Sequence, residues 1–150
     1  MEQQISQLSK KAANHFKQGY NCAQSVLLTM QEYYGARRDS LIPKIATAFG
    51  GGIGRCGSLC GALTGAVMSI GLRYGTNVPI LEKREEAYRL ARELYEQFEK
   101  EFGSPFCREL IGFDLTVPEE LERARESKVL DEKCTCFVKK AVEILISLEK

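Results

Sequence analysis

Six cysteines carry most of the chemistry available to this 150-residue chain: Cys22, Cys56, Cys60, Cys107, Cys134 and Cys136. Thiols of this number serve as disulfides in small secreted domains and as metal ligands or redox groups in reducing compartments. Residues 1–11 are polar and charged and contain no apolar core of a secretory signal, and the chain is long enough to fold on a hydrophobic core alone. Reduced thiols in the cytoplasm, with metal binding or thiol chemistry as their purpose, are therefore expected. The one histidine, His15, leaves little material for a Cys–His catalytic pair or a Cys2His2 zinc site. It is expected on the surface of the first helix, a candidate only for a fourth ligand. No Cys-x2-Cys occurs, which removes the common zinc knuckle and the thioredoxin-like motif. Cys56 and Cys60 are one turn apart if their segment is helical, whereas Cys134 and Cys136 cannot share a helix face.

The elements that must position these thiols read as helices. Ile5, Leu8, Ala12 and Phe16 recur at helical spacing up to Gly19. Asn21 caps a second helix, with Gln24 at the capping-box position and Ala23, Val26, Leu27 and Met30 on its apolar face. Ser40 opens a short helix carrying Ile42, Ile45 and Phe49, and a glycine-rich bend follows at residues 50–54. Ser58 is expected to cap a nearly uncharged helix reaching Tyr74, whose residues 59–72 are apolar enough to be buried all round but too few to span a bilayer. An amphipathic helix over about residues 79–102 ends at Gly103, Ser104-Pro105 starts another, Pro118 begins a short one, and Asp131 is expected to cap the last. Strand-type alternation is absent. The pattern predicts one all-α domain over residues 1–150, a compact bundle of about five to seven helices with the glycine-rich, apolar helix at its centre.

On those helices Cys22, Cys60, Cys107 and Cys134 each fall in a first turn, where unpaired N–H groups and the helix dipole favour negative charge. A thiolate or an anionic metal cluster gains from such a place; burial as small core hydrophobes is the plainer alternative. Gly57, Gly61 and Gly65 repeat every four residues and predict close approach of another backbone, from a neighbouring helix or from a second subunit in a homodimer. Gly52-x-Gly54-x-x-Gly57 matches a dinucleotide fingerprint in letters only, since no strand precedes it. With a net charge of +1 and basic residues mixed among acidic ones, the chain offers no field for nucleic acid or an anionic membrane.

The segment Gly19-Tyr20-Asn21-Cys22-Ala23-Gln24, the block Cys60-Gly61-Ala62-Leu63-Thr64-Gly65, and the later Cys107 and Cys134 resemble the C_GCAxxG_C_C family of redox-active proteins. The resemblance runs from about residue 16 to 146, and Gly103-Ser104 followed by Cys107-Arg108-Glu109-Leu110 supports it. It implies that Cys22, Cys60, Cys107 and Cys134 are the family cysteines and that Cys56 and Cys136 are additions, with Cys134 and Cys136 close enough to exchange that assignment. It further implies a redox function and an iron–sulfur centre, for which four thiolates suit a [2Fe–2S] cluster serving electron transfer or redox sensing with a partner protein. A metal-free thiol/disulfide oxidoreductase, a structural zinc protein and an interaction module are the alternatives. No Cys-x-x-Cys-His is present for covalent haem.

Overall fold

Asn21 fixes where the helix of the first cysteine begins. In the computed structural model, which describes residues 1–37 and 39–149, the Gln24 N–H donates to the Asn21 side chain at 2.9 Å, and the Asn21 N–H donates to the Gln24 side chain at 3.1 Å. This is the reciprocal capping box read from the sequence. The Asn21 amide also donates to the Thr47 carbonyl at 2.8 Å, tying the cap to the segment that leads into the glycine-rich bend. Asn21→Ala removes two of these three bonds. It is expected to lower stability by about 1–2 kcal/mol, read as a shift of the urea midpoint. An unchanged midpoint would show that the cap does not hold this helix.

Eight α-helices and no strand occur among the described residues: α1 (Glu2–Lys17), α2 (Cys22–Tyr33), α3 (Leu41–Ile45), α4 (Gly61–Tyr74), α5 (Glu85–Phe102), α6 (Cys107–Ile111), α7 (Pro118–Glu126) and α8 (Val129–Leu148). The number slightly exceeds the expected five to seven; α3 and α6, both read from their start signals, are single turns of five residues. No helix among the described residues is long and apolar enough to cross a membrane.

α2, α4 and α8 run in the same direction. Their C-terminal ends meet at one pole, where the Tyr34 hydroxyl donates to the Glu149 carboxylate and Arg73 lies 5.0 Å from the Tyr34 ring and 5.6 Å from the Tyr74 ring. Their N-terminal portions meet at the opposite pole, where Cys22, Cys60 and Cys134 lie. α1 and α5 pack against this trio. The core between them is apolar and closed, with Val26, Met30, Leu63, Ile70, Leu94, Phe98, Val138 and Leu145 all buried. Phe98 meets the edges of Phe102 and Phe137, which locks α5 onto α8. α4 is central as expected, though not covered all round: Val67 and Gly71 are exposed.

Several boundaries differ from the sequence reading, each for a local reason. The third helix splits, α3 giving way to a 3-10 turn at Thr47–Phe49, with Ile45 facing solvent. The fifth starts at Glu85 after a 3-10 turn at Leu81–Arg84. Ser58 does not cap α4. Residues 57–60 are drawn into backbone pairing, and the helix is capped two residues later, at Cys60 itself. Ser104 does not start α6 either; its hydroxyl accepts the Phe106 N–H at 3.0 Å in a turn, and the helix begins at Cys107. α8 begins ahead of Asp131, behind Lys128 in a left-handed conformation.

Candidate functional site

Two devices bring the distant cysteines together. The first is a short antiparallel pairing centred on Leu59 and Phe106. The Cys60 N–H donates to the Pro105 carbonyl at 2.8 Å, the Cys107 N–H to Ser58 at 2.7 Å, and the Arg108 N–H to Gly57 at 3.1 Å. This pairing brings Cys60 and Cys107 to diagonal positions on the two paired segments, two residues out of register. The second is the absence of side chains at the start of α4. A Cβ on Gly61 would lie 3.1 Å from the Cys22 sulfur, and one on Gly65 would lie 2.6 Å from the Ala23 carbonyl oxygen. The glycine face expected to admit a neighbour thus admits α2 of the same chain, seating Cys22 against the beginning of α4. Gly57 does not share that face, because it precedes the helix with a φ of +75°.

Cys22, Cys107 and Cys134 line one cavity of about 380 Å³, and Cys60 lies buried beside them in the same core cluster. Cys22 opens α2, Cys60 caps α4 and Cys107 opens α6, close to the expected first turns. Cys134 instead lies in the second turn of α8, because that helix starts at Val129. Cys56 and Cys136 are exposed. Cys56 sits on the bend, and Cys136 faces a separate depression beside Phe102, Glu109 and Lys133. The helix turn between positions 134 and 136 therefore decides which of the two faces the cavity. His15 is not the surface residue expected. Its side chain is largely covered, its ring meets Tyr20 edge-on at 5.9 Å, and its Nε2 lies 3.5 Å from Glu32. It does not line the cavity.

Burial raises the pKa of all four clustered thiols. For Cys22 it outweighs the N–H groups of Gly51 and Ala23, which favour the thiolate. Cys60 is raised by burial and then by Cys22, against the N–H groups of Ala62 and Leu63. Cys107 is pushed up to about 11 by burial and by Cys22. Cys134 is raised by burial and by each of the other three in turn. Cys60, Cys107 and Cys134 are thus raised by neighbouring thiols as well as by burial, and a cation among them would favour their ionised forms. Among the described residues, no three of His, Cys, Asp or Glu are gathered closely enough to hold a single ion. The donor set is three thiols lining the cavity and a fourth, Cys60, buried beside them, soft sulfur donors of the kind that hold iron–sulfur clusters once ionised.

The remaining wall is the glycine-rich bend, and its conformation was not legible as such. Gly51, Gly52, Ile53, Gly54 and Arg55 are five consecutive residues with positive φ. Ile53 and Arg55 each bear a strain of about 1–2 kcal/mol there. Glycine is required at position 52, where a Cβ would meet the Cys107 Cβ and the Ser58 backbone, all at 2.7 Å. Arg55 from this turn and Arg125 from α7 line the cavity, and among the described residues no acidic side chain does. Neither arginine was singled out in the sequence. Arg55 carried a signal in being embedded among glycines; Arg125 carried none.

The profile of the family described as "Putative redox-active protein (C_GCAxxG_C_C)" matches residues 20–148. The chain belongs to this family. The match spans the capping box at Asn21, the glycine-rich bend and all four clustered cysteines of this C_GCAxxG_C_C protein. An uncharacterized protein of Archaeoglobus fulgidus is 30% identical over 135 residues, covering 85% of this chain and 83% of that one. No solved structure matches.

Proposed function

We propose that this redox-active protein holds an iron–sulfur centre of the [2Fe–2S] type through Cys22, Cys60, Cys107 and Cys134, for electron transfer or redox sensing with a partner protein. The observation that carries this reading is the convergence of thiols from four separate segments at the pole where α2, α4 and α8 direct their N-terminal ends. An all-thiolate cluster is anionic, and aligned helix dipoles with inward N–H groups favour negative charge at that place. A bound cluster would supply reversible one-electron transfer. The chain's own part is to fix the four sulfurs, exclude water through Phe16, Leu115 and Leu130, and direct the N–H groups of Gly51, Ala23, Ala62 and Leu63 toward sulfur.

Two alternatives fit less well. A metal-free dithiol oxidoreductase needs an attacking thiol with a lowered pKa, whereas burial moves all four upward. A structural zinc site needs four ligands round one ion, whereas three of these thiols line a cavity of about 380 Å³, roomy enough for a larger group. Purification without oxygen, followed by iron, sulfide and zinc analysis, tests the reading. The expected product is brown, with iron and sulfide in equal amounts. A colourless protein that takes up neither after anaerobic reconstitution would reject it, and stoichiometric zinc would replace it with the structural alternative.

A further inference from the structure

The cavity beside the thiols is larger than a two-iron centre needs. Such a centre adds four heavy atoms, a minor part of about 380 Å³, a volume within the range of roughly 300–1,000 Å³ found for small-molecule sites. The remaining wall has two parts. One is apolar, built by Phe16, Leu115, Leu121 and Leu130. The other is cationic, built by Arg55 and Arg125 at the mouth. The polar side chains Asn21 and Thr47, also in the lining, are engaged with the backbone and with Gln24. Among the described residues, neither Arg55 nor Arg125 has a carboxylate within ion-pair distance. Arg55 is moreover held at a φ of +67°, in a turn where Gly51, Gly52 and Gly54 take positive φ without strain. Strain of this kind concentrates at ligand clamps and active sites.

We infer that this cavity binds a small organic anion, a carboxylate or phosphate monoester with an apolar body, whose charge pairs with Arg55 and Arg125 while its body packs on Phe16 and the leucines. The anion then faces the thiol centre. The inference rests on the proposed iron–sulfur reading only for the identity of the group it faces; binding itself requires only the cavity. The site makes the protein a receptor for a small redox substrate or effector, and not solely an electron carrier.

The test is titration of the full chain, purified without oxygen and again after iron removal under reductant, with benzoate, phenyl phosphate, neutral benzamide and inorganic phosphate, followed by calorimetry and amide NMR shifts. Benzoate or phenyl phosphate is expected to bind at least tenfold more tightly than benzamide and than inorganic phosphate, in both preparations. Arg55→Gln and Arg125→Gln are each expected to weaken binding about tenfold, the loss of one charge-assisted pair, while Arg92→Gln on α5 leaves it unchanged. Arg55→Gly is expected to weaken binding and yet raise the urea midpoint, a pairing that a purely structural arginine would not give. Equal binding of benzamide, wild-type binding by the Arg55→Gln/Arg125→Gln double variant, inorganic phosphate matching phenyl phosphate, or binding lost on iron loading would each overturn the inference. Anion binding in a chain that never takes up iron would remove the iron–sulfur reading alone. An iron–sulfur protein that binds none of the anions would remove this inference alone.

Discussion

Cys60→Ser is expected to give a folded protein that no longer holds the proposed iron–sulfur centre. Serine is among the preferred helix caps, and Cys60 occupies the cap of α4. The substitution therefore keeps the helix start while replacing a soft thiolate with a hard, weakly acidic hydroxyl. Cys60 is expected to be the most sensitive of the four, because it is buried between the bend and the central helix, and the only other cysteine near it in sequence, Cys56, is exposed. Iron and sulfide are expected to fall to background in Cys60→Ser, with helical circular dichroism unchanged. Cys22→Ser, Cys107→Ser and Cys134→Ser are expected to lose most of both. Cys56→Ser and Cys136→Ser serve as controls that retain wild-type iron, since both thiols face away from the cavity. Wild-type iron in the variants of all four clustered cysteines would reject the ligand set. Loss in Cys136→Ser but not in Cys134→Ser would show that the helix presents the other face to the centre. Because metal binding stabilises only the folded chain, the wild-type unfolding midpoint is expected to drop toward that of Cys60→Ser once a chelator strips the iron.

How much of this site could be read in the residues depends on whether the signal was local. The Asn21–Gln24 capping box is a four-residue pattern, and it sets the Cys22 helix where the sequence indicated. The thiol-bearing starts of α2 and α6 followed from similar local cues, to within two residues. The signals that failed were overridden by distant partners. Ser58 is a sound cap by type, but its carbonyl accepts the Cys107 N–H across the fold, so residues 58–60 stay outside the helix. Asp131 has the right chemistry for a cap, yet the left-handed Lys128 had already turned the chain into α8. That shift moved Cys134 from the first turn to the second without removing it from the cavity. The left-handed run at residues 51–55 was visible only as a glycine-rich bend, because Ile53 and Arg55 do not favour positive φ by type. Arg125 could not be found at all: an arginine in an amphipathic helix reads as solvated surface until the cavity below it is known.

The glycines of α4 give the second large effect, and here one substitution is expected to act with opposite sign at two positions. Alanine is favoured over glycine inside a helix by about 1 kcal/mol. At Gly71 nothing stands within 4 Å of the added methyl group, and the residue is exposed. Gly71→Ala is therefore expected to stabilise the protein by up to about 1 kcal/mol and to leave its iron content alone. At Gly65 the methyl group would stand 2.6 Å from the Ala23 carbonyl oxygen and 2.9 Å from its Cα. These are backbone atoms that move only if α2 moves. Gly65→Ala is expected to destabilise by about 1–3 kcal/mol, the cost of overpacking a closed contact, even after the helix preference is counted. The displacement should also lower the uptake of the proposed centre, because Ala23 adjoins Cys22 and α2 must retreat from the helix that Cys60 caps. Urea midpoints and iron analysis on the two variants separate these effects. If Gly65→Ala matched Gly71→Ala in both measurements, the close approach of α2 to α4 would not be what holds Cys22 against Cys60.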